Sequence, residues 1–147
     1  MDNLADIKTV RDILSRHGFS FSKTLGQNFL INRSVCPRMA ELSGAAPDVG
    51  VLEIGPGIGV LTRELASRAR KVVSVELDDR LLPVLAETLD GFDNVRIVPG
   101  DILKIDLPAL LREQFDGMKV AVCANLVPVG QSNSCLYTEA ILHIFSF

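Results

Sequence analysis

The chain has 147 residues, of which 48% are apolar, 22% charged and 5% aromatic, and its net charge is −3. That length allows one domain with a real core, and the balance excludes a disordered or fibrous polypeptide. Charges or turn residues interrupt every apolar run before membrane-spanning length. Residues 1–12 carry acids and lack the apolar stretch of a secretory signal, so the expected compartment is cytoplasmic, with no membrane partner. Charge is uneven: residues 1–45 hold six basic against four acidic side chains, and the remainder nine against fourteen. The net charge argues against a domain-wide electrostatic grip on nucleic acid, although the front could face phosphates. Cys36, Cys123 and Cys135 fit neither a zinc site nor a disulfide framework. They are expected to be reduced and mostly buried. His17 and His143 have no ligand cluster in sequence, so no metal is expected.

Leu4, Ile7, Val10 and Leu14 at helical spacing predict a helix over 3–17, stopped by Gly18. A loop-like stretch with an internal Gly26 follows. Residues 34–43 read as a second helix, with Ser34 as cap and Val35, Met39 and Leu42 as its buried stripe. A weak boundary falls near Ala45-Ala46-Pro47-Asp48. From Val49 the texture changes to short apolar runs alternating with helical patterns. Residues 49–55 read as a buried strand, 60–69 as a helix resting on Leu61 and Leu65, and 71–76 as a second strand. A helix from about Asp79 to Leu89 follows, closed by Gly91, with Pro83 limiting where it can begin. Residues 94–101 read as a strand and turn, 107–115 as a helix and 118–125 as a fourth strand. Alternation of this kind predicts a parallel sheet with helices on both faces.

Glu53-Ile54-Gly55-Pro56-Gly57-Ile58-Gly59 lies between a predicted strand and helix. Glycines there allow a ligand close to the main chain, and the helix start offers unpaired N–H groups. A nicotinamide fingerprint would place its third glycine at position 60, where this chain has Val60. The spacing G-x-G-x-G instead resembles the first motif of class I methyltransferases. Glu76 ends the second strand, where an acid can accept from both ribose hydroxyls of an adenosine. Asp101 follows the third and can accept from an adenine amine, with Ile102 packing on the ring. Asn125 ends the fourth. Ligands of doubly wound sheets bind outside the carboxyl ends of the strands, so Gly55, Glu76, Asp101 and Asn125 share one rim.

With Lys23-Thr24-Leu25-Gly26-Gln27-Asn28-Phe29-Leu30 in front of this loop and Val75-Glu76-Leu77-Asp78 behind it, the chain resembles the small-subunit ribosomal RNA adenine N6,N6-dimethyltransferase family from about Phe21 to Leu126. The resemblance implies an α/β, Rossmann-like class I methyltransferase fold, here the first half of the parallel sheet (about four strands) with an N-terminal helical segment. It implies S-adenosylmethionine as cofactor. Asn28, Leu30, Gly55, Gly57, Glu76, Leu77, Asp101, Ile102 and Asn125 would line the cofactor site, and Asn125 and Leu126 would begin the catalytic motif. It implies two methyl transfers to each of two adjacent adenines near the 3′ end of 16S rRNA in the small ribosomal subunit, by a monomer.

The pattern breaks after Leu126. Val127-Pro128 stand where the family has proline followed by an aromatic residue, and the stretch to Phe147 has no family likeness. The expected organisation is a helical cofactor-lid segment over 1–45, an incomplete cofactor domain over 46–126 and a divergent tail over 127–147. Truncation or a frame change near codon 127 is the expectation, with poor solubility and little or no methyl transfer. The fourth strand would then be an edge, which the apolar tail could cover as helix or strand. Three alternatives stay open: a non-catalytic remnant that binds cofactor or rRNA, a relative acting on large-subunit rRNA, and a nicotinamide-dependent dehydrogenase.

Overall fold

In the computed structural model, residues 3–20, 34–124 and 143–145 are described. Helix α1 spans Ile7–Arg16 and α2 spans Val35–Leu42. The sheet strands are β1 (Val49–Ile54), β2 (Lys71–Glu76), β3 (Val95–Pro99), β4 (Lys119–Ala124) and β5 (His143–Phe145). Between them lie α3 (Val60–Ala66), α4 (Leu82–Thr88) and α5 (Leu107–Phe115). The strand order is β3-β2-β1-β4-β5. The first four strands run parallel and β5 pairs antiparallel with β4.

Register explains how the sheet divides its side chains. Val51 stands opposite Val72 and Ala121, and Leu52 opposite Val73 and Val122. Because side chains alternate along a strand, Val51, Val72, Ala121 and Cys123 share one face and pack against α2 and α3. Leu52, Val73, Val75 and Val120 share the other and meet Leu110, Leu111 and Phe115 of α5. A third cluster joins α1 to α4: Val10, Ile13 and Leu14 pack on Leu81, Val84, Leu85 and Leu89, with Val95 and Ile97 of β3 beneath. Both faces are therefore covered, as an interior parallel sheet requires.

Local chemistry sets the boundaries that periodicity leaves loose. The first helix starts at Ile7 rather than residue 3, because the carboxylate of Asp6 accepts from the N–H of Thr9 and caps it. Ser34 occupies the cap position of α2 but makes no side-chain cap bond there. The stripe of α2 is Cys36, Met39 and Ala40, with Val35 half-buried against the same cluster; Leu42 is 53% exposed. That corrects the expected stripe at its last member. The β2–α4 connection opens with a 3₁₀ turn, Asp79–Leu81, and α4 proper starts at Leu82, with Pro83 in its first turn. A proline there loses no helical hydrogen bond, since its nitrogen would have been unpaired. The β5 strand takes the strand alternative for the outer edge of β4: Val120, Ala121 and Val122 pair with Phe145, Ile144 and His143. Edge N–H and C=O groups find partners in this way.

Cys36 and Cys123 are buried free thiols, as expected. Cys135 and the side chain of His143 lie outside what is described. No helix among the described residues is long and apolar enough to cross a membrane.

At Gly50 of β1 the sheet lies close against α5. A Cβ at that position would stand 2.4 Å from Cδ1 and 2.7 Å from Cε1 of Phe115, which is itself 2% exposed. Gly50→Ala is therefore expected to destabilise the fold by about 1–3 kcal/mol through overpacking. Urea unfolding followed by circular dichroism measures it.

Candidate functional site

The turn between β1 and α3 is built from backbone angles that side chains other than glycine rarely adopt. Gly55, Gly57 and Gly59 have φ of 71°, 59° and 88°. At Gly59, the cap of α3, a Cβ would also press on Leu89 and on Oγ1 of Thr88, each at 3.1 Å. The N–H of Gly55 donates to the carbonyl of Val75 at 3.0 Å, tying the turn to the end of β2.

Glu76, the last residue of β2, is 5% exposed. Its Oε2 accepts from the N–H of Gly57 at 3.2 Å, and its Oε1 accepts from the N–H of Asp78 at 2.8 Å. The carboxylate thus aims at the glycine turn. An ionised carboxylate has about four acceptor positions. Among the described residues two are occupied, which leaves capacity for two further donors, as a ribose diol would supply. The neighbouring strand end is fastened as well: the N–H of Gly100 donates to the carbonyl of Glu76 at 2.9 Å. Asp101 follows directly, with Oδ1 accepting from the N–H of Leu103 at 2.9 Å. Ile102 is partly buried against the α5-side cluster. Leu77, by contrast, is 70% exposed at the rim. The described residues bring Gly55, Gly57, Glu76, Leu77, Asp101 and Ile102 to the carboxyl ends of adjacent strands. Asn28, Leu30, Asn125 and Leu126 lie outside the described residues.

Beside these residues lies a buried acid for which the sequence motif gives no role. The sequence places Glu53 in the glycine motif without marking a role for it. It is 1% exposed, and its Oε2 accepts from Oγ1 of Thr62 at 2.7 Å and from Oγ of Ser74 at 2.6 Å. One carboxyl oxygen therefore pins β1, β2 and α3 together immediately before the turn. Burial pushes the pKa of Glu53 up to about 7, opposed by the hydroxyl donors of Ser74 and Thr62 and assisted by the nearby charge of Glu76. The signal was a lone acid inside an apolar strand. The neighbouring thiols of Cys36 and Cys123 are raised to about 11 and about 12, chiefly by burial and then by Glu53, so they stay protonated and unreactive at neutral pH. Among the described residues, no group of three or more His, Cys, Asp or Glu side chains could hold a metal ion.

A parallel α/β sheet with an acid bent onto a glycine turn defines a Rossmann-like class of fold. Its likeness to phosphoethanolamine N-methyltransferase 1 of Haemonchus contortus bears on the fold alone: TM-score 0.51 at 19% identity, over 89% of this chain and 35% of that one. Residues 18–139 match the family of ribosomal RNA adenine dimethylases, and the chain belongs to that family. The ribosomal RNA small subunit methyltransferase A of Geobacillus thermodenitrificans is 54% identical over 105 residues, 71% of this chain and 36% of the relative. That of Bacillus cytotoxicus is 49% identical over 127 residues, 86% of this chain and 44% of the relative. The chain thus spans less than half the length of either relative.

The raised pKa of Glu53 has a defined consequence for stability. The folded state holds the proton more tightly than the unfolded chain, whose carboxyl titrates near 4.5. The contribution of Glu53 is therefore fully present below pH 4.5 and is lost as pH rises through about 7. Glu53→Gln should flatten that loss, with a difference from the parent chain of about 2–3 kcal/mol between pH 4 and pH 8. Paired urea titrations at the two pH values check it.

Proposed function

We propose that this chain carries the cofactor-binding part of an S-adenosylmethionine-dependent rRNA adenine N6,N6-dimethyltransferase, with small-subunit 16S rRNA as substrate. The observation that carries the reading is the Glu76 carboxylate, held at the glycine turn by Gly57 and Asp78 with acceptor capacity to spare. Family membership and the names of its relatives supply the substrate class.

In this reading Glu76 accepts from the two ribose hydroxyls. Asp101 accepts from the adenine amine, and Ile102 lies along the ring. Gly55 and Gly57 allow the methionine portion near the main chain, Leu77 stands at the rim, and the family resemblance assigns cofactor contacts to Asn28 and Leu30. S-adenosylmethionine supplies, when bound, a methyl group already activated by the sulfonium charge. The remaining task is to position a poor nucleophile, because the lone pair of the target amine is delocalised into its ring. The side-chain oxygen of Asn125 and a neighbouring carbonyl accept its N–H bonds and hold the nitrogen in line, which is catalysis by positioning and electrostatics. The base must leave its stack to arrive there. Two adjacent adenines near the 3′ end of 16S rRNA, action as a monomer and a cytoplasmic setting belong to the same reading.

A second reading rests on Val127-Pro128, which replace the family's proline and aromatic residue beside Asn125-Leu126. Without a ring to stack on the flipped base, the chain binds cofactor or rRNA and transfers no methyl group. Methylation of unmethylated small subunits separates the two: incorporation near the rate of a full-length relative supports the first, and none above background the second.

Calorimetry tests the cofactor assignment directly. S-adenosylhomocysteine should bind and the nicotinamide dinucleotides should not. Glu76→Ala should weaken the complex by about tenfold to a hundredfold, as expected for loss of a charge-assisted pair of hydrogen bonds. Equal affinity of parent and variant would sink the assignment.

A further inference from the structure

We propose that Arg80 is a positioning residue for Glu76, coupling the cofactor acid through Phe19 to the N-terminal segment. This rests on the reading of Glu76 as the ribose acid. The contacts form an unbroken chain. The Arg80 guanidinium lies 5.7 Å from the centre of the Phe19 ring. Its other edge grips Asp78, with Nε at 2.8 Å from Oδ1 and Nη2 at 2.6 Å from Oδ2. The main-chain N–H of Arg80 also donates to Oδ1 of Asp78, at 3.0 Å. Asp78, so clamped, turns its own N–H to Oε1 of Glu76 at 2.8 Å, and Oε2 of the same carboxylate meets Gly57. One residue is therefore held through its carboxylate by a guanidinium and through its main-chain N–H by the acid that faces the glycine turn.

The far end of the chain is equally anchored. The N–H of Phe19 donates to the carbonyl of Leu14 at 2.9 Å, and its ring packs on the α1–α4 cluster. Glu87 of α4 receives His17 at 2.7 Å and also pairs with Arg16. Phe19 stands four residues before Lys23, where the family's N-terminal signature begins. The entry to that segment and the orientation of Glu76 thus share one guanidinium.

The chemistry requires arginine. A planar fork can stack on a ring and bond a carboxylate along its edge at once, whereas an ammonium is a point charge without a plane. Held this way, Asp78 keeps its carboxyl below the usual range, with the Arg80 hydrogen bonds as the main cause. Exposed ion pairs add little to global stability, so the effect falls on local order and not on folding.

The test uses this chain with Arg80→Ala, Arg80→Lys, Phe19→Leu and Phe19→Trp, and S-adenosylhomocysteine as probe. Both Arg80 variants and Phe19→Leu should raise Kd by about threefold to tenfold. Phe19→Trp, which keeps the ring face, should restore parental affinity. Melting temperatures should stay within about 2 °C of the parent. In ligand-free protein, hydrogen exchange at the N–H groups of Asp78 and Gly57 should quicken in the Arg80 variants. Unchanged exchange, or Kd within about twofold of the parent, overturns the role of Arg80. If the parent chain does not bind the probe, the cofactor reading fails instead, and exchange in the ligand-free variants alone decides whether Arg80 positions Glu76.

Discussion

The structure depends on a carboxylate that closes the sheet's upper end. Glu76 leaves β2 and turns onto the N–H of Gly57, so the acid and the glycine turn hold each other in place. Such a bond needs β1 and β2 in parallel register, with Ile54 opposite Val75, to bring the two strand ends level. It also needs glycine at positions 55, 57 and 59, whose positive φ values let the chain fold back under the carboxylate without strain.

Beneath this closure sits a second acid with the opposite character. Glu53 and Glu76 share one sheet face and feel each other's charge, yet their surroundings differ. Glu76 receives main-chain N–H groups and faces the rim. Glu53 receives two hydroxyls inside the core, and burial favours its neutral form. Burial shifts Glu53 toward its neutral form while its two hydroxyl partners brace three elements. In this way one acid braces the elements beneath the turn while the other bonds the turn itself.

The helical elements before β1 belong to the same core. α1 packs on α4, and α2 packs on α3 and the sheet, so the segment before residue 46 contributes to both clusters on that face. Contact between α1 and α4 brings the basic end of α1 to Glu87 and Phe19 to Arg80. Residues near the chain's front thereby stand beside Glu87 and Arg80, although more than fifty positions separate them in sequence.

Sequence alone determined the alternation of strands and helices, because each buried strand is a short apolar run and each crossover helix has its own stripe. It determined the glycine turn and the order of acids along the rim, since those residues act at strand ends and strand ends are marked by composition. Helix limits were less legible: the start of α1 depends on a cap bond from Asp6, and the exposure of Leu42 depends on which face α3 covers. Tertiary structure alone decided the partners. The hydroxyls on Glu53 come from β2 and α3, the edge of β4 is paired by residues 143–145, and Arg80 lies between Asp78 and Phe19. Periodicity reports the face a residue shows, but side chains from different elements meet only after the sheet has fixed their distances.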